Sequence, residues 1–309
     1  MGRVLMLFLD GVGLGVKDPS VNPLFAARMP AVRSLFGGEL PSLGRRRISS
    51  GAATVLPLDA TLGVPGFPQS GTGQTSLFTG ANGAALAGKH FGPHPYSTLK
   101  PVIAERNIFR RLRNAGKSSL FANAFPQRFF DYLGSHRGRM TVTTLSATTS
   151  GLRLLRAEDL ARGSAVSADI TNAGWLELGY PDIPVIPPAE AGKRLSGLSR
   201  EHDFVLFEYW KTDYAGHAMD RREALNVLET FDAMLSGIID SLDTDETLLL
   251  ITSDHGNIED LTTKTHTCNP VPLILYGAGA ASCADRFETD AGLTAVTPLL
   301  LDYIGGALQ

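Results

Sequence analysis

Asp254 and His255 stand side by side at the end of an apolar run, residues 248–251 (LLLI), and His266 lies on the polar loop beyond them. Asp213 follows a second apolar run, DFVLFEYW at 203–210, and His217 comes four residues later. Asp10 follows a third, VLMLFL at 4–9. One such pair is what a polar turn that happens to hold a histidine looks like. Three of them, each after an apolar run, form the donor set of a metal centre. Mixed carboxylate and imidazole donors suit Zn²⁺ or Mn²⁺ better than Ca²⁺. Six or seven such ligands exceed one tetrahedral ion and match two. Two divalent ions a few ångströms apart clamp the attacking and leaving oxygens of an in-line displacement at phosphorus.

A nucleophile for that chemistry is available in PGFPQSGTGQTSLFTG, residues 65–80. Small and hydroxyl residues after two prolines lead into a short helical run, which puts Ser70 near a helix N-terminus. Free amides and the helix dipole favour an anion there. The same position suits a simple N-cap serine, so both readings stand at this point. Glycines 11, 13 and 15 resemble a dinucleotide fingerprint, but GxGxxG must open a helix. Here the third glycine comes one residue early and Pro19 follows in a polar turn. The glycines are better read as letting the backbone turn sharply beneath a ligand at Asp10.

Positioning these residues requires strands. Short apolar runs bounded by polar residues read as strands buried on both faces, and 4–9, 119–122, 203–210, 248–251 and 271–275 all have that form. Helices are expected at 24–36, 102–114, 189–198 and 224–242, the last with apolar positions 225, 228, 231, 235, 238 and 242 at helical spacing. Thr297-Pro298 reads as another helix start, ended by Gly305. The expected fold is α/β, a mostly parallel central sheet with helices on both faces, as a single domain over residues 1–309. Residues 129–180 are expected to be a loop-rich insertion or minimal cap. In such sheets ligands sit outside the carboxyl ends of the strands, so Asp10, Asp213 and Asp254 are expected on one edge.

Hydrophobic content of 43% and charged content of 19% are those of an ordinary soluble protein. A net charge of −3 offers nothing to nucleic acid or an anionic membrane. Cys268 and Cys283 make neither a disulfide framework nor a CxxC pair. No membrane span or secretory leader is evident, and the expected location is the cytoplasm.

Taken together, the DG after the first strand, the small-residue serine loop, TDYAGH, SDHGN and HTCNPVP resemble the metal-binding core of the alkaline phosphatase superfamily. The likeness lies on the side of the cofactor-independent phosphoglycerate mutases and phosphopentomutases, and it covers most of 1–125 and 185–309. It implies that Asp213, His217 and His266 bind one metal and Asp10, Asp254 and His255 the other, with Ser70 also among the metal-contacting residues. It also implies that Ser70, three residues before Gly73, carries the phosphoryl group, with Thr72 as a rival. Gln74 stands where those mutases have a histidine, which is a departure. A second departure is size: once core elements are subtracted between Ser70 and Asp213, only about fifty residues remain for a cap. A mutase must shield its phosphoenzyme from water. The expected activity is therefore a phosphohydrolase acting through phosphoserine on a small phosphorylated substrate. The alternatives are a phosphomutase or a non-catalytic relative. No CxPxR-like segment supports a sulfatase. Arg128, Lys211 and Thr72, with His90 or His94, are the candidate substrate contacts.

Overall fold

The computed structural model describes residues 2–44, 47–287 and 291–307. Its strands are β1 (Arg3–Leu9), β2 (Ile48–Ser50), β3 (Ala53–Leu58), β4 (Ser119–Phe121), β5 (Asn123–Ala124), β6 (Val166–Ser167), β7 (Phe204–Tyr209), β8 (Thr247–Ser253) and β9 (Val271–Gly277). Seven of them form one sheet in the order β2-β3-β9-β8-β1-β7-β4, and β5 pairs with β6 separately. The block β8-β1-β7-β4 is parallel. Beyond it, β9 runs antiparallel to β8 and β3, and β2 runs antiparallel to β3. The sheet is thus mostly, though not wholly, parallel.

The uninterrupted apolar sequence of β1 follows from its central place. Val4, Met6 and Phe8 enter one core together with Leu248 and Leu250, while Leu5, Leu7 and Leu9 enter the opposite core with Leu249 and Ile251. The first core is closed by helices Ser70–Thr79, Lys100–Arg106, Ile108–Asn114 and Val296–Gly305. The second is closed by Pro30–Leu35, Pro188–Glu201 and Arg221–Ile239. Each fully buried Leu, Ile or Phe contributes about 1.5–3 kcal/mol. Helices Pro188–Glu201 and Arg221–Ile239 touch backbone to backbone: a Cβ on Gly237 would lie 2.0 Å from the Ala189 carbonyl oxygen.

Several boundaries differ from the sequence expectation. The expected 102–114 helix is two helices, broken at Asn107, whose extended backbone and side-chain bond from the Arg110 amide start the second. Residues 24–36 divide into a 3-10 turn, Pro23–Phe25, and the helix Pro30–Leu35. Pro298 is the third residue of its helix, because a 3-10 turn at Leu293–Ala295 runs straight into it. Between β5 and β7 lie short helices at Gln127–Gly134, Val142–Thr149, Ala157–Ala161 and Ala173–Glu177. Val142 and Ala147 belong to the first core, whereas Leu155, Leu160, Trp175 and Ile183 form a small core of their own. Among the described residues, no helix is long and apolar enough to cross a membrane.

The register settles what the edge of the sheet carries. Leu9 pairs with both Tyr209 and Ser253. The residues leaving β1, β7 and β8 therefore emerge level with one another: Asp10, then Trp210 and the helix Lys211–Ala218, then Asp254.

Candidate metal centre

Two trios gather at that edge. Asp213, His217 and His266 form one, and Asp10, Asp254 and His255 the other; within each, the candidate ligand atoms lie within 4.8 Å of one another. The helix Lys211–Ala218 places Asp213 and His217 one turn apart on the same face. His217 Nε2 lies 3.3 Å from Asp213 Oδ2, and His266 Nε2 lies 3.6 Å from Asp213 Oδ1. In the second trio, His255 Nε2 is 3.4 Å from Asp10 Oδ1 and 3.5 Å from Asp254 Oδ2. The trios adjoin, with the His255 and His266 rings stacked at 3.8 Å between centroids.

The arrangement fits cations. His217 Nδ1 is 2.8 Å from the Lys264 carbonyl and His266 Nδ1 is 2.7 Å from the Pro68 carbonyl. A carbonyl only accepts, so each Nδ1 carries the hydrogen and each ring, when neutral, aims a lone pair from Nε2. Those two Nε2 atoms are 3.0 Å apart. Two lone pairs facing each other beside a carboxylate would need a positive charge between them, which either a proton on His217, whose pKa Asp213 raises, or a metal ion in its place supplies. In the second trio, Asp10 Oδ1 and Gln74 Oε1 are buried with no hydrogen-bond partner.

The electrostatics agree. Burial first, then the charges of Asp254, Asp213 and Glu208, push the Asp10 carboxyl well above its ordinary range. Burial likewise raises Asp254, although His255, Gln74 and the Gly11 amide pull against it. For Asp213 burial is outweighed by the His217 bond, the His255 charge and the Asn257 bond, which hold it at about 2. Burial and the neighbouring His255 charge lower His266 to about 4, so its ring is neutral and able to ligate at neutral pH. A divalent cation supplies the charge that this crowding of buried carboxylates lacks.

Ser70 is the first residue of its helix, and extended Gln69 occupies the N-cap position. The hydroxyl therefore does not cap the helix; it lies 3.0 Å from His255 Nε2, inside the second trio. The amides of Thr72 and Gly73 are bonded to the carbonyls of Gln69 and Phe91, which leaves those of Ser70 and Gly71 as the donors at this helix end. Gly71 is required here, since a Cβ would lie 2.4 Å from the His94 carbonyl oxygen. Gln74, one turn beyond Ser70, donates Nε2 to Asp254 Oδ2 at 3.0 Å and to Asp10 Oδ2 at 3.4 Å.

The other candidates stand apart from these trios. Thr72 is fully buried, and its hydroxyl bonds to Gln69 and accepts from the Phe91 amide. Arg128 is exposed on Gln127–Gly134, and half-buried Lys211 opens the helix that carries Asp213. His90 is tied to the Val64 carbonyl. Three contributors escaped the sequence reading. Asn257 donates Nδ2 to Asp213 Oδ1 at 2.6 Å, and Glu259 is fully buried behind the ligand loops. Glu208 accepts from Thr143 Oγ1 at 2.7 Å, and burial raises its carboxyl to about 7. Glu208 carried a signal, being the single acid inside the apolar run 204–209.

Comparison with known proteins agrees with this geometry. Residues 190–307 match the family model described as the Metalloenzyme superfamily. A 2,3-bisphosphoglycerate-independent phosphoglycerate mutase of Desulforudis audaxviator is 31% identical over 111 residues, 34% of this chain and 21% of that protein. Its counterpart in Methanocorpusculum labreanum is 32% identical over 156 residues, 46% of this chain and 37% of that protein. The matched stretches thus span about a fifth to a third of these relatives. The whole fold is shared more widely. The PH0037 protein of Pyrococcus horikoshii superposes with a TM-score of 0.59 at 15% identity, covering 98% of this chain and 97% of that one. The alkaline phosphatase of the Antarctic bacterium TAB5 gives 0.57 at 11% identity with the same coverage. The segment that carries Asp213, His217, Asp254, His255 and His266 thus matches a metalloenzyme superfamily model, parts of the chain resemble cofactor-independent phosphoglycerate mutases, and the fold of the whole is one shared with alkaline phosphatase.

Proposed function

We propose that this protein is a two-metal phosphohydrolase that acts on a small phosphorylated metabolite through a phosphoserine at Ser70. The observation that carries the reading is the Ser70 hydroxyl, 3.0 Å from His255 Nε2 at the start of a helix and within a buried carboxylate–imidazole cluster. Asp213, His217 and His266 would hold one divalent ion; Asp10, Asp254, His255 and Ser70 would hold the other, with Mn²⁺ or Zn²⁺ suiting these donors. When bound, the ions neutralise the phosphoryl oxygens and lower the pKa of the serine hydroxyl. The protein's own groups do the rest. The backbone carbonyls of Lys264 and Pro68 fix the tautomers of His217 and His266. The Ser70 and Gly71 amides, left without acceptors at the helix start, would be the donors to charge developing on the phosphoryl group. Ser70 Oγ forms the new bond to phosphorus as the bond to the leaving oxygen breaks, and water then attacks the phosphoserine to release phosphate and restore the hydroxyl.

The phosphomutase alternative draws support from the sequence likeness to mutases. Hydrolysis is favoured because helix Val142–Thr149, within the segment where a cap would lie, packs into the core beside the Ser70 helix instead of standing over the site. Protein quenched during turnover should carry phosphate on Ser70 by mass spectrometry, and label from the substrate should end in free phosphate. Ser70→Ala should bind metal and lose turnover. A variant that keeps most of its activity would mean that water attacks directly, and label returned to a second position of the substrate would establish a mutase.

A further inference from the structure

Glu259 ligates neither trio, yet the loops that carry both converge on it. Its carboxylate is fully buried. Oε2 accepts from the Gly13 amide at 2.9 Å and from the Asn257 amide at 2.7 Å. Oε1 accepts from the Thr267 hydroxyl, and from Asn269 Nδ2 at 3.1 Å. All four donors are neutral, and they occupy the four acceptor positions a carboxylate offers. Gly13 lies three residues after Asp10, Asn257 two after His255, and Thr267 next to His266. Asn257 in turn fixes Asp213 through its side chain. The backbone makes room for this: a Cβ on either Gly13 or Gly256 would lie 2.2 Å from Glu259 Oε1.

We propose that Glu259 is a positioning residue that sets the place of both metal ions at once, by holding the Asp10, Asp254–His255 and His266 loops in one register. The inference rests on the two-metal reading above. Groups behind the ligands typically change metal affinity 10–100-fold, but each normally serves one ligand. Glu259 serves donors of both trios, so its loss should weaken both sites together.

Glu259→Gln preserves size, but its amide nitrogen must face either two backbone amides or the Thr267–Asn269 donors. The test is titration with Co²⁺, read by stoichiometry, affinity and the visible d–d spectrum, on wild type, Glu259→Gln and Asp232→Asn. Asp232 is a control for the loss of a buried carboxylate, since it accepts the Ala31 and Val32 amides on the far side of the second core. Wild type should bind two ions. Glu259→Gln, folded by circular dichroism, should bind both at least tenfold more weakly with an altered d–d band, and Asp232→Asn should bind as wild type. Wild-type affinity and spectrum in Glu259→Gln would overturn this inference alone. Equal weakening in Asp232→Asn would overturn it too, by showing only a general loss of stability. A wild type that binds fewer than two ions would overturn both this inference and the reading beneath it.

Discussion

Asp254→Asn should shift stability in opposite directions with and without metal. In the metal-free protein Asp254 is fully buried, and burial first, then the charge of Asp213, raises its carboxyl above the ordinary range. An acid whose pKa is higher in the folded state binds more protons there, so stability falls as pH rises from its unfolded to its folded pKa. At pH 8 the ionised side chain is therefore a net cost, which Asn removes. Asn can keep the Gly11 amide bond, and Gln74 can rotate its unpartnered Oε1 toward the new amide, giving up only its long 3.4 Å bond to Asp10, a loss of at most about 1 kcal/mol. With metal present the sign reverses, because one of the second trio's ligands is gone. Saturation at a hundredfold over Kd stabilises by about 2.7 kcal/mol per site. In a chain of this size that corresponds to roughly 4 °C in Tm. Calorimetry at pH 8, in chelator and in excess Mn²⁺, should show the variant melting above wild type in chelator and gaining about 4 °C less than wild type on adding Mn²⁺. An equal Mn²⁺ increment in both proteins would refute the ligand assignment, and a variant several degrees less stable in chelator would refute the electrostatic reasoning.

Glu208→Gln should flatten the pH dependence of metal-free stability: wild type, with this carboxyl raised to about 7 by burial, should lose on the order of 3 kcal/mol relative to the variant between about pH 4.5 and 7, measured by denaturant melts. Metal uptake should release a proton from His217, whose pKa is raised first by its bond to Asp213, and none from His266, which stays neutral down to about pH 4. Calorimetric titration at pH 6.5 in buffers of different ionisation enthalpy measures that release, and His217→Ala should reduce it, leaving the part that comes from the raised carboxyls of the second trio.

Much of this could be read from residue order because buried parallel strands leave an unmistakable mark. The runs 4–9, 204–209 and 248–251 that precede Asp10, Asp213 and Asp254 are apolar at every position but Glu208, and each belongs to a central strand. What could not be read depends on contacts between distant loops. Ser70 as cap or nucleophile differs by one residue of helix phase, which only the approach of His255 decides. Asn107 breaks a helix whose apolar spacing runs through the break, because a side-chain cap there outweighs continuity. Glu259 sits one position from Asp260, an exposed-loop acid in sequence terms, and nothing local tells which of the two turns inward. Thr72 resembles Ser70 in its surroundings, yet it faces the Phe91 segment, a direction fixed by helical phase alone.

The wide spacing of the ligands also has a consequence in time. Gly11 bonds to Asp254 across 243 positions, and Pro68 to His266 across 198. During synthesis, the first 253 residues hold no complete trio, and the pairing that closes the Asp213 site waits for the loop before β9. Metal therefore cannot template the early chain. The sheet, whose central strand is made first and whose neighbour β8 is made near the end, has to wait for non-local pairing, which is slow. Capture of metal by these trios would then be a late proofreading step: a nascent chain that lacks residues 254–266 has no complete trio with which to take up an ion.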